Sequence, residues 1–427
     1  MHWKFTALLV CIYGVVKEFR PGTPFLTPFL ESEFKNFTNE IIYSEIYPFW
    51  TYSYLLFLIP VFFLTDALRY KPVVILEALS LCATWALMIW GKSVRQMQLM
   101  QICFGLASSA EIAYYSYMYA VVDRKHYKKI TSYTRAAKMV GKFFAYSLAQ
   151  IFITTGFGSY LLLIQITFGA VFVVFFISLF LPPIAKPRLQ GEIVEIQELK
   201  KNNISQISET NHSSSFFKDI KQKLSIFKEN ETVLIWSIWW ALASCGTFQI
   251  SNYVQTLWAR LQNDGQFVGN GMVECVNTLL GAIITFYLQY IKFEWKKYGE
   301  FIFFTSSLAI SISLLGMSEI NNIFILYGLY LFTDCIYHML IAAASNIIAS
   351  QLNSASYSFI FGFNTFIALI FQTILTFLVT DKHGFALKIQ DQFRIYSGYF
   401  LIMALLFCIP FGLKVIKKRN MGTVIVE

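Results

Sequence analysis

Charge is what this sequence has least of: only 14% of its 427 residues are Asp, Glu, Lys or Arg. An ordinary soluble domain carries about 25%, so this chain cannot cover a water-facing surface. Set beside 56% hydrophobic residues, the shortage also excludes a disordered chain. Histidine is sparse as well. The five (His2, His126, His212, His338, His383) are scattered and form no HExxH pair. The seven cysteines fall inside apolar runs without a CxxC, indicating neither a disulfide framework nor a zinc site. No P-loop, GxSxG or GxGxxG occurs, so nothing points to an enzyme, a cofactor or a bound metal. The net charge of +9 is no nucleic-acid footprint, because the Lys and Arg sit in short clusters between apolar runs.

Apolar and aromatic residues take the vacant share, with 43 Phe, 24 Tyr and 9 Trp. A membrane span needs about 20 mostly apolar residues. Twelve stretches qualify, at roughly 5–30 (broken by Pro21 and Pro24), 45–65, 72–91, 97–122, 130–155, 159–182, 233–257, 268–291, 299–317, 322–348, 356–380 and 393–413. The fold expected is all-α: a polytopic membrane protein of twelve transmembrane helices. Between Lys186 and Thr232 the chain turns to Ser, Asn, Glu and Lys and reads as a flexible linker. The expected layout is a six-helix bundle over residues 1–182, a cytoplasmic linker over 183–232, a second bundle over 233–414 and a tail over 415–427. Two bundles of this kind rock around a central site in transporters.

Basic residues orient the chain. Even-numbered loops, the linker and the tail hold twenty-one Lys and Arg, against nine in the odd-numbered loops and their margins. The positive-inside rule places both termini and the linker in the cytoplasm. Asn36-Phe37-Thr38 then faces outside, where an N-glycan acceptor belongs. The sequons at Asn203, Asn211 and Asn230 fall on the cytoplasmic side and should stay bare.

Ionisable residues within spans need a reason, since a charge at mid-bilayer costs roughly 2.5–3.5 kcal/mol on the insertion scale. They are Glu77, Glu111, Arg135, Lys138, Lys142, Glu274 and Asp334. Glu111 stands out, with Tyr114, Tyr115 and Met118 on its side of the helix. A carboxylate beside aromatic faces suits an organic cation; the competing reading pairs Glu111 with Arg135 or a lysine of the next helix. Tyr47, Trp50 and Tyr54 form an aromatic stripe that is either an interfacial belt or a stacking platform. Glu77, Lys138 and Lys142 read as one structural charge cluster, and Glu274 as pore-lining or a helix-end partner. Asp66 and Arg69, between the second and third spans, read as an inside-gate charge pair.

Several stretches resemble one family. They are Arg20-Pro21 with Pro24-Phe-Leu26, Pro48-Phe-Trp-Thr-Tyr-Ser-Tyr54, Leu64-Thr-Asp-Ala-Leu-Arg-Tyr-Lys-Pro72 and Ala110-Glu-Ile-Ala-Tyr-Tyr115. In the second half they are Trp239-Trp-Ala241, Asn252-Tyr-Val-Gln255 and Phe361-Gly-Phe-Asn-Thr-Phe366. Over nearly the whole chain except the linker, the sequence resembles the reduced folate and thiamine carriers, solute carrier family 19 of the major facilitator superfamily. The resemblance implies vitamin uptake across the plasma membrane by alternating access, without ATP.

The same resemblance bears on the cargo. Glu111 matches the thiamine carriers. The basic residues that folate carriers place in the tenth and eleventh spans fall near Asp334 and at Gln372, while Arg135 is retained in both branches. Exchanging cations for Glu, Gln and Asp disfavours a dianion, so a thiamine-like cation is expected over folate. Thr23 and Gln101 stand where thiamine carriers have acids, which leaves a folate carrier, or a member with another cargo, as the alternative. The residues expected to bind the vitamin are Glu111, Tyr114, Trp50, Tyr47, Arg135, Asn252, Asn364, Gln372 and Asp334. The expected partners are this small molecule and the lipid bilayer, with no nucleic acid.

Overall fold

A computed structural model describes residues 3–68, 70–121, 127–183, 224–262, 268–288, 295–351 and 354–424. Every regular element among them is helical. The long helices are α1 (Trp3–Glu18), α2 (Pro48–Ala67), α3 (Lys71–Trp90), α4 (Val94–Val121), α5 (Tyr127–Thr155) and α6 (Tyr160–Phe180). After the linker region come α7 (Glu231–Ala259), α8 (Asn270–Leu288), α9 (Trp295–Glu319), α10 (Ile323–Gln351), α11 (Ser354–Val379) and α12 (Ile389–Val424). Seven of the described helices are long and apolar enough to cross a membrane: α3, α6, α7, α10, and the segments Tyr298–Glu319, Phe359–Val379 and Ile389–Ile409. Helix α1 ends at Glu18, just before Pro21, and the chain re-forms as a turn at Thr23–Phe25 and a short helix at Leu26–Glu31. Helices α4, α5 and α8 carry Glu111, Lys138, Lys142 and Glu274 among their apolar residues.

Large apolar side chains cover the outside. Leu56 and Phe180 are 69% and 76% exposed, and many others line the same surface. In water such an apolar surface would aggregate; facing lipid it costs nothing, and helices satisfy their own backbone polar groups there.

Packing runs mainly within the first six helices and within the last six. Helix α1 lies on α5 and α6, α4 on α2 and α3, α7 on α10, α11 and α12, and α9 on α10 and α12. The two sets meet along α5 with α8 and α2 with α11. Two glycines fix how closely helices cross. A Cβ at Gly141 of α5 would lie 2.3 Å from the Val15 carbonyl oxygen of α1, and one at Gly105 of α4 would lie 1.9 Å from Ser53 Oγ of α2. Only a hydrogen fits at either crossing, the membrane-helix device of small residues at a contact.

Hydrogen bonds tie the two sets together at the end of the bundle that holds Asn36. Gln255 of α7 donates to the Thr23 carbonyl (3.0 Å) and accepts from the Thr27 N–H (3.3 Å). Gln150 of α5 does the same for the start of α8, donating to the Val268 carbonyl (3.0 Å) and accepting from the Met272 N–H (2.9 Å). Tyr52 donates to Asp381 (2.7 Å), and Lys382 pairs with Glu45 (2.8 Å). These last four residues help to line a cavity of about 430 Å³ between the two sets.

Candidate functional site

Because Gly141 lets α1 touch α5, the last turn of α1 and the residues just after it deliver three charges, Lys17, Glu18 and Arg20, into the first set of helices. Lys17 pairs with Glu77 of α3, and its Nζ also lies 3.2 Å from Glu111 of α4. Lys138 of α5 pairs with Glu111 and lies 3.9 Å from Glu18. Arg20 closes the group by donating to Glu18 at 2.8 Å, and Tyr13 donates to Glu77 at 2.9 Å. Three carboxylates face three cations. Lys17 and Glu77 are buried, whereas the Glu111 side chain keeps 34% of its surface. Glu111 thus sits at the open edge of a charge-balanced wall.

Of the two sequence-based readings of Glu111, the arrangement has the pairing with a lysine of the next helix: Lys138 holds it, joined by Lys17, so it is not an uncompensated counter-charge. Glu77 takes Lys17 rather than Lys138 as its partner, and Lys138 spends its charge on Glu111. Tyr114 lies behind the wall. It is fully buried, stacks on Tyr13 at 5.0 Å, donates to the Val10 carbonyl, and lies 5.2 Å beneath Lys17 and 5.5 Å beneath Lys138. Those two contacts place the cation–π role on the protein's own lysines.

Trp50 shares the Glu111 wall. Its indole N–H donates to Ser108, three residues before Glu111, and its ring stacks on Phe104 at 6.1 Å. Tyr47 is buried at the junction of the two sets, bonded to Thr27 (2.8 Å) with its ring 6.2 Å from Tyr253. Arg135 is exposed on α5, three residues before Lys138. The side chains of Tyr115, Met118 and Asp66, and the whole of Arg69, lie outside the described residues.

In the second set the expected residues are dispersed. Asn364 donates to Ser237 at 3.1 Å, deep in the α7–α11 contact. Gln372 is wholly buried with neither amide atom hydrogen-bonded, and Asn252 has an unpaired amide nitrogen. Asp334 accepts from Asn277 at 2.6 Å, with His338 at 3.7 Å, and Glu274 accepts from Tyr330 at 3.0 Å. Sequence reasoning missed Lys17, Glu18 and Arg20, whose polar run before Pro21 reads as a helix flank. It also missed Gln150 and Gln255, because an uncharged amide in a span raises no flag.

Comparison with known proteins identifies the architecture and then the family. The fold matches the nucleoside transporter NupG at a TM-score of 0.65 and 13% identity, covering 96% of this chain and 99% of that one. It matches the inward-open xylose transporter XylE of E. coli at 0.63 and 12%, covering 95% of each. These likenesses show a major-facilitator-type helical fold. "Folate transporter 1" of Caenorhabditis elegans is 47% identical, covering 98% of this chain and 94% of its own length. "Thiamine transporter 1" of Homo sapiens is 37% identical, covering 97% and 91%. The family model described as "Reduced folate carrier" matches residues 1–395. A charge-lined, all-helical membrane protein with these relatives belongs to the reduced folate carrier family.

Proposed function

We propose that this chain carries a folate-type anionic vitamin across the plasma membrane by alternating access, its Asn36 end closed and its linker end open to the cytoplasm. The observation that carries the cargo is the neutralised Glu111. With Lys138 and Lys17 on its carboxylate, the first wall offers a dianion no net repulsion, and exposed Arg135 stands one helical turn away. The similarity to a relative named a folate transporter points the same way. The sidedness rests on the basic-residue bias, with both termini inside. In this reading Trp50 and Asn252 line the vitamin's path, Asn364, Gln372 and Asp334 lie buried behind it, Tyr47 belongs to the closure, Tyr114 braces the wall, and Asp66 with Arg69 serves the opposite gate.

A thiamine-like cation is the second reading, favoured by Trp50 lying beside Glu111 on α2 and α4. It requires the cation to displace Lys138 from Glu111. Uptake of radiolabelled folate and thiamine in transport-null cells separates the two. Saturable folate uptake, unaffected by excess thiamine and lowered roughly tenfold or more by Arg135→Ala, is expected from the loss of a charge-assisted contact. Thiamine uptake that folate does not inhibit would reverse the assignment.

Asn36 is exposed in a left-handed turn, with φ 57°. In a eukaryotic host the protein should lose apparent mass on deglycosylation, and Asn36→Gln should abolish that shift. A wild-type band that does not move places this end in the cytosol.

A further inference from the structure

The cavity at the Asn36 end shares no residue with the wall around Glu111 or with the side chains assigned to the vitamin's path. Its volume of about 430 Å³ falls within the roughly 300–1,000 Å³ usual for small-molecule sites. One side belongs to the first set of helices: Glu45 in the turn before α2, then Phe49 and Tyr52 on α2. The other belongs to the second set: Phe377 on α11, then Asp381 and Lys382 in the loop after it.

The lining is matched in one carboxylate and unmatched in the other. Glu45 has Lys382 at 2.8 Å. Asp381 is 6% exposed, and its side chain takes two neutral donors, the Tyr52 hydroxyl at 2.7 Å and the backbone N–H of His383 at 2.8 Å. No ion pair reaches it from the described residues. A carboxylate offers roughly four acceptor positions, and a buried one is ordinarily paired with a cation. Beside it the rings of Phe49 and Tyr52 stand 6.3 Å apart at 58°, forming a corner, and Phe377 adds a third aromatic face. An acid lacking a cation, next to open space walled by rings, suits an ammonium group carried on an aromatic ring.

We propose that this cavity binds a small aromatic ammonium compound, its charge on Asp381 and its ring among Phe49, Tyr52 and Phe377, and that the bound compound holds the Asn36 end closed. The second part follows from the origin of the walls. Tyr52 meets Asp381, and Lys382 meets Glu45 and the Ser44 carbonyl (3.3 Å), only across the junction of the two sets. Parting the sets at this end carries Asp381 and Phe377 away from Phe49 and Tyr52 and dismantles the site. A ligand that fits one arrangement and not the other shifts the population toward the first. The identity of the transported vitamin does not enter this argument.

Two measurements test this, and the first needs no cargo. Calorimetric titration of the purified full chain in detergent with benzyltrimethylammonium should show saturable binding. Phenylacetate, a similar ring with the opposite charge, should not bind. Asp381→Asn keeps the shape and an acceptor for Tyr52, and should weaken binding roughly tenfold or more through the lost charge. Phe377→Ala, at a position 47% exposed and therefore safe for folding, should weaken it several-fold. Wild-type affinity in either variant, or a wild type that prefers phenylacetate or binds neither probe, overturns the site. In the second measurement, proteoliposomes carry benzyltrimethylammonium on both faces during uptake of radiolabelled folate or thiamine. Uptake by the wild type should slow as the site fills, whereas Asp381→Asn should keep its own uninhibited rate at the same concentration. Full uptake by the wild type at saturating probe overturns the hold on the closed end. A wild type that moves neither vitamin counts against the transport reading alone, and the titration still decides the site.

Discussion

Replacing Lys17 with alanine should cost the protein about 3–5 kcal/mol, the toll for stranding a buried carboxylate. Glu77 is 1% exposed, and Lys17 is its ion-pair partner. Tyr13 alone cannot neutralise it. Against a total stability of about 5–15 kcal/mol, that loss leaves little folded protein. The informative companion is Lys17→Ala with Glu77→Gln. Removing both charges removes the stranded ion, so the double variant should recover most of the lost thermal stability in detergent. Glu111 would still keep Lys138. A single variant that melts within about 1 kcal/mol of wild type, or a double variant no better than the single, would show that Glu77 is not held by this pair.

The second large effect belongs to Gly141→Ala. Its Cβ would lie 2.3 Å from a backbone oxygen of α1, with Glu18 Cβ at 3.2 Å, and neither atom can rotate away. The helices must separate, which costs about 1–3 kcal/mol or more for an overpacked contact. The consequence for activity is larger than for stability. Separating α1 from α5 moves Lys17 and Glu18 away from Lys138 and opens the wall that holds Glu111. Uptake of the transported vitamin should fall to background while a measurable fraction of protein still reaches the membrane. Gly362→Ala, also within a helix but with nothing within 4 Å of the new methyl, is the matched control and should transport normally. Equal activity of the two variants would sever the link between this crossing and the site.

What could be read from sequence follows from the range of each effect. Apolar runs are local, so the positions of the long helices and the break at Pro21 and Pro24 were legible, and Glu111 stood out as a costly charge. The alternative partner for Glu111, a lysine of the next helix, was also within reach of spacing arguments. The Lys17–Glu77 pair was not. It joins residues 60 apart, and it forms because a glycine far along the chain, Gly141 against Val15, sets the depth of α1. Tyr114 was assigned to the correct helix face, yet α1 packs over that face and hides it. Gln150 and Gln255 act through backbone groups, which carry no sequence signature at all.

The wall around Glu111 has one more consequence, for the way the carrier responds to membrane voltage. Moving one elementary charge through 100 mV takes about 2.3 kcal/mol. Lys17, Arg20 and Lys138 are matched by Glu18, Glu77 and Glu111 on helices of the same set. When those helices rock as a body, the sextet carries opposite charges together through the field, and the potential does almost no work on it. Electrical sensitivity of the cycle is therefore left to the cargo, to any ion that accompanies it, and to side chains outside the sextet.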